Sequence, residues 1–111
     1  MNTNALDLST ITSNDKLIET VTQGMLFKVF VCPLELGGVD NKSNVLFVPQ
    51  IAAEMMDKLS GLLIELARKG LIKRLNVHPE YKGESHVPSK IIIVAGHENG
   101  INVLNLSIDI W

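Results

Sequence analysis

One segment, from Pro49 to Gly70, constrains the fold of this chain more than any other. A proline at the first helical position gives up an N–H group that has no partner there, and a glycine just past the last turn ends a helix. Between these two residues the apolar side chains recur at helical spacing, and the charged side chains fall on the opposite side. The apolar positions are Ile51, Ala52, Met55, Met56, Leu59, Leu62, Leu63, Leu66 and Ala67. The sequence therefore predicts one long amphipathic helix over residues 49–69, with a wide apolar stripe.

A shorter helix is predicted near the amino terminus, over residues 14–23. Ser13 or Asn14 can accept a hydrogen bond from its first N–H groups, and Gly24 can end it. Its apolar stripe is narrow and consists of Leu17, Ile18 and Val21. The preceding residues, 1–12, are polar with isolated apolar side chains, so we expect either a loose arm or a short edge strand there.

Five further segments have the composition of β-strands. Residues 25–32 are rich in β-branched and aromatic side chains on both faces, as in an interior strand, whereas residues 101–110 alternate apolar and polar side chains. The other predicted strands cover residues 45–48, 71–77 and 90–95. The element order α-β-β-α-β-β-β predicts an α+β fold: one antiparallel or mixed sheet of about five strands, with the long helix on one face.

Length and charge narrow the class of protein further. At 111 residues the chain is expected to form a single domain, residues 1–111. Ten basic and twelve acidic residues give a net charge of -2, which argues against a dedicated nucleic-acid binder. Cys32 is the only cysteine, so no intramolecular disulfide can form. No run approaches the ~20 apolar residues of a membrane span, and no targeting signal is visible, so we expect a cytoplasmic protein without membrane attachment.

The sequence contains none of the common catalytic or cofactor motifs, such as a phosphate-binding glycine loop, GxSxG, HExxH or CxxC. We therefore predict no cofactor, no metal ion and no assembled catalytic set. The best candidate for ligand contact is the predicted loop 78–88, which Pro79 and Pro88 stiffen at its ends. Its candidate residues are His78, Glu80, Tyr81, Glu84 and His86. A two-histidine metal site with Glu80 or Glu84 is the alternative to a solvated loop.

A basic cluster follows the long helix and consists of Arg68, Lys69, Lys73 and Arg74. Two of these cations can interact with the negative end of the helix dipole, and the other two can face solvent. Helix, Lys-Gly-Leu-Ile-Lys-Arg, strand, long loop and strand together resemble the winged-helix regulators over residues 49–95. That resemblance implies a DNA-binding role for the cluster. The apolar stripe, however, runs through Gly61 without the turn that separates two helices in that family.

Assembly is the last inference from composition. Apolar residues make up 46% of the chain and the mean hydropathy is +0.22. A monomer would leave a large apolar patch, so we predict a homodimer that uses the uncovered sheet face or the edge of strand 101–110. The predicted function is a small non-enzymatic interaction module that binds a protein or a small-molecule ligand. A winged-helix DNA-binding regulator and a small enzyme with an unrecognised site are the alternatives.

Overall fold

The computed structural model of the chain describes residues 6–98 and 100–111. Within them the fold is α+β, as the sequence predicts. The helices are α1 (Asn14–Thr22) and α2 (Gln50–Arg68). The strands are β1 (Phe27–Phe30), β2 (Val45–Val48), β3 (Arg74–Glu80), β4 (Lys90–Gly96) and β5 (Asn102–Asp109). Residues 1–5, part of the predicted arm or edge strand, and Asn99 lie outside the described residues.

The long helix is confirmed almost to the residue. Pro49 immediately precedes α2, and Gly70, with φ of +75°, ends it in the left-handed conformation. The N–H of Gly70 donates to the Ala67 carbonyl and the N–H of Leu71 donates to the Leu66 carbonyl. This pair of bonds is the Schellman arrangement that satisfies the last carbonyls of a helix.

The prediction of one five-stranded sheet is wrong. The strands form two separate antiparallel sheets, a two-stranded sheet β1-β2 and a three-stranded sheet in the order β3-β4-β5. Four-residue strands offer only about 13 Å of ladder, roughly half of what strands of seven or eight residues offer. Each sheet is thus built from strands of similar length, four residues in the small sheet and seven or eight in the large one.

Both sheets pack against the same helix. The main core contains Leu46 and Val48 from the small sheet, and it contains Ile91, Ile93, Ala95 and Ile108 from the large one. Helix α2 supplies Ala52, Met56, Leu59 and Leu63 to this core. The wide apolar stripe of the helix is thus shared between two sheets, which explains how one helix covers strands that do not pair with each other.

The described part of the amino-terminal segment, residues 6–12, is neither a loose arm nor a strand. Leu8 and Ile11 are buried in a second cluster with Leu26 and Val87, and residues Leu8–Thr10 form a 3-10 turn. The Ser85 hydroxyl donates to the Leu8 carbonyl over 2.6 Å, and the His86 N–H donates to the Ile11 carbonyl over 2.7 Å. The buried side chains of Leu8 and Ile11 and these two hydrogen bonds therefore fix this segment to the 81–89 loop.

Candidate functional site

An open cleft of about 800 Å³ lies at one end of the large sheet. Three segments form it: the end of β3 with the residues that follow, the start of β4, and the chain after β5. Its lining residues are His78, Pro79, Glu80, Tyr81, Lys82, Ser89, Lys90, Asp109, Ile110 and Trp111. The volume is in the range of small-molecule sites, although this cleft is lined by more polar than apolar groups.

Lys82 and Trp111 form one wall of the cleft. The Lys82 ammonium donates to the Trp111 carbonyl over 2.8 Å and lies 5.4 Å from the centre of the indole ring. The indole N–H donates to the Val87 carbonyl over 3.1 Å. The lysine charge is therefore held by a carbonyl and by the negative face of an aromatic ring, which fixes the end of the chain against the 81–89 loop.

Lys90, Asp109 and Ser89 in the cleft are also engaged with protein atoms. Lys90 and Asp109 face each other across β4 and β5, with 3.8 Å between the ammonium nitrogen and a carboxylate oxygen. The Ser89 N–H and hydroxyl both donate to the Glu80 carbonyl. Partial burial raises the pKa of Tyr81 because it disfavours the phenolate. Tyr81 is therefore neutral at physiological pH.

The structure separates the candidate residues of the predicted loop 78–88. Strand β3 continues to Glu80, so His78 and Glu80 belong to a strand rather than to the loop, and both side chains are exposed. His78, Glu80 and Tyr81 line the cleft, whereas His86 lines a separate depression of about 330 Å³ together with Tyr81 and Ser85. Glu84 is exposed and lines neither. Tyr81 is thus the residue that the two cavities share.

Residues 81–89, between β3 and β4, form a loop that is anchored to the rest of the protein. Val87, Pro88 and Ser89 are buried, and the Ser85 hydroxyl also accepts a bond from the Val87 N–H over 3.1 Å. The serine hydroxyls of this region donate to backbone carbonyls, those of Leu8 and Glu80. These two hydrogen bonds stabilise the 81–89 loop.

The basic cluster is largely occupied by contacts within the chain. Glu65 lies 3.2 Å from Arg68 and 3.8 Å from Lys69. Arg74 donates to the His97 carbonyl over 2.8 Å and to the Asn102 side chain over 3.2 Å, so it braces the β4–β5 hairpin. Lys73 is exposed. The Glu65 carboxylate is thus shared by Arg68 and Lys69, and Arg74 bonds to the protein.

The sequence did not predict a second cleft, a groove of about 660 Å³ between β1 and α2. Val29 and Phe30 line one wall, and Met56, Gly61 and Ile64 line the other. Lys28 also lines the groove, and its ammonium lies 2.8 Å from an Asp40 carboxylate oxygen and 5.2 Å from the centre of the Phe30 ring. The sequence feature that could have indicated this groove is Gly61, a glycine in the middle of the long helix. In the structure no atom lies within 4 Å of a Cβ added at this position.

Over residues 6–98 and 100–111, no three His, Cys, Asp or Glu side chains lie close enough together to hold a metal ion. Within the same residues, neither helix is long and apolar enough to cross a bilayer. Comparison with protein-family models, with curated proteins and with solved structures found no match to this chain.

Proposed function

We propose that this protein is a non-enzymatic interaction module that works as a homodimer. The observation that carries the proposal is the number of large apolar side chains that remain exposed after both cores have formed. They are Ile18, Met25, Phe27, Leu34, Val39, Ile51, Met55, Leu62, Leu71, Tyr81, Ile101, Val103 and Leu106. Single exposed apolar residues are normal on soluble proteins, but groups of them on one element mark an interaction surface.

Two elements carry such groups. On α2, the exposed side chains of Ile51, Met55 and Leu62 follow helical spacing and form a stripe beside the buried face. On β5, Val103 and Leu106 are exposed. A second copy of the chain is the simplest partner, because one self-complementary patch covers both copies and closes the assembly.

The two alternatives have less support. Helix α2 runs without a break from Gln50 to Arg68, so this segment does not contain the two helices of the winged-helix pattern. Arg68 and Lys69 share an ion pair with Glu65, which lowers the net positive charge of the cluster. For an enzyme, the serine hydroxyls nearest the two cavities, those of Ser85 and Ser89, are bonded to backbone carbonyls. Contacts of this kind stabilise a fold and do not activate a nucleophile, which requires an adjacent base.

Light scattering during gel filtration tests the proposal. At micromolar concentration we expect a mass near twice 12.2 kDa, and we expect the melting temperature to rise with protein concentration. A mass near 12.2 kDa that does not change with concentration would contradict the homodimer.

A further inference from the structure

We infer that the groove between β1 and α2 is a binding site for a small organic cation, an apolar molecule that carries one ammonium group. This site goes beyond the proposed homodimer and does not depend on it. The groove does not include the exposed apolar stripe of α2 that supports the homodimer. Three properties indicate a ligand of this class: the open space in the groove, the apolar side chains that line it and the sign of its charge.

Small residues of α2 leave the groove open. The helix residues that line it recur at intervals of three or four positions, so they lie along one face of α2. Among them are Ala53, Ser60 and Gly61, which have short side chains or none. At Gly61 no atom lies within 4 Å of an added Cβ. The unfilled volume of about 660 Å³ is within the range of small-molecule sites, about 300–1,000 Å³.

Most of the residues that line the groove are apolar. Met56 is buried, and Val29, Phe30 and Ile64 are half-buried. Leu34 lines the same groove and is 46% exposed. Ligand sites combine apolar lining with a small number of polar groups that fix the orientation of the ligand. An apolar molecule in the groove therefore removes from water a leucine side chain that the fold itself leaves exposed.

The charge of the groove favours a cation. Its charged lining residues are Lys28, Glu35 and Asp57. The Lys28 ammonium lies 2.8 Å from an Asp40 carboxylate oxygen, so its charge is offset. Within the described residues, neither Glu35 nor Asp57 forms an ion pair. Two uncompensated carboxylates thus remain, one after β1 and one on α2, and they attract an ammonium group and repel an anion.

An adjoining depression of about 400 Å³ leaves this balance unchanged. It shares Ala53 and Asp57 with the groove, and its other charged residues, Glu54 and Lys58, have opposite signs. Glu35 and Asp57 are both exposed, so water screens their charges. One exposed ion pair changes a binding constant by at most about fivefold. We therefore expect weak binding with a moderate preference for the cation.

Nuclear magnetic resonance of the ¹⁵N-labelled full chain tests this preference. The probes are phenethylamine, 2-phenylethanol and 3-phenylpropionate, which have the same aromatic ring and similar length but carry a positive, no and a negative charge. At millimolar concentration the amine should shift the amide signals of Phe30, Ser60 and Gly61. It should bind about fivefold more tightly than the carboxylate, with the neutral alcohol between them.

Three variants locate the site. Gly61→Leu places a side chain in the groove and should abolish the shift of the Phe30 amide, while the circular dichroism spectrum stays that of the native chain. Asp57→Asn should weaken binding of the amine by about two- to fivefold. Glu65→Gln is the matched control, because it makes the same change of net charge on α2 outside the groove, and it should bind the amine as the native chain does.

Each outcome decides for or against the site. Amine binding that Gly61→Leu abolishes and Asp57→Asn weakens, with Glu65→Gln unchanged, supports the inference. Equal affinities for phenethylamine and 3-phenylpropionate, no shift at the groove amides, or equal losses in Asp57→Asn and Glu65→Gln overturn it. If Gly61→Leu does not fold, the comparison of Asp57→Asn with Glu65→Gln decides alone. The mass of the native chain in solution tests the homodimer separately.

Discussion

The two apolar flanks of α2 have similar side chains and opposite environments. One flank, with Ala52, Met56, Leu59 and Leu63, is buried between the two sheets. The adjacent flank, with Ile51, Met55 and Leu62, is exposed, and Ile51 retains 75% of its accessible surface. The two sets are offset by about one residue, which is about 100° around a helix. Hydrophobicity is thus necessary for burial in this molecule, but the position of the neighbouring sheets decides which flank is buried.

The comparison of the two flanks predicts the largest difference in stability for substitutions of two adjacent methionines, Met55 and Met56. Met56→Lys places a charge in the core, so we expect it to destabilise the fold by more than about 4 kcal/mol or to prevent folding. Met55→Lys should change the free energy of unfolding by less than about 0.5 kcal/mol, because position 55 is exposed. Urea melts of the two variants measure the difference. Equal losses of stability in the two variants would mean that the flank with Met55 is also buried in the folded protein.

Truncation of two adjacent leucines, Leu62 and Leu63, should give a smaller difference in stability than the methionine variants do. Leu63 is 3% exposed, so Leu63→Ala should cost about 2–5 kcal/mol through lost contacts and a residual cavity. Leu62→Ala, on the exposed flank, should cost well under about 1 kcal/mol in the single chain. Chemical denaturation at low protein concentration separates this effect from any effect on assembly. A cost of several kcal/mol at Leu62 would place that side chain in an interface or a core.

The smallest predicted effect is a gain. Gly61 lies in α2 and has no atom within 4 Å of an added Cβ, so Gly61→Ala should raise the free energy of unfolding by about 0.5–1 kcal/mol. Alanine restricts the unfolded chain and suits a helix interior. Thermal melts with the wild-type chain as reference would detect the gain. A destabilised variant would show that something packs closely against this position.

The sequence predicted the helices and strands better than it predicted how the strands pair and pack. The bounds of α2 follow from Pro49 and Gly70, local signals that act on the backbone directly. Strand pairing depends on contacts between distant residues, and an apolar strand pattern is compatible with either one sheet or two. The burial of Leu8 and Ile11 was missed because isolated apolar residues in a polar segment have no periodicity.

The candidate site was predictable only in part, for a related reason. Sequence proximity suggested that His78 and His86 share a loop. Strand β3, however, continues to Glu80, and residues 85–89 turn towards the core. The contributions of Lys90, Asp109 and Trp111 to the cleft depend on the pairing of β4 with β5, which brings residues twenty positions apart together. No local motif encodes that proximity.

The position of Trp111 gives the protein an optical reporter of its own. It is the only tryptophan in the chain, and its indole is held by the Val87 carbonyl and covered by the Lys82 ammonium. Indole emission shifts to longer wavelength when water reaches the ring. Release of the last residues from the 81–89 loop will therefore change the fluorescence without a label, whereas far-ultraviolet circular dichroism follows the helices. A difference between the two signals during unfolding would show that this end of the sheet opens before α2 does.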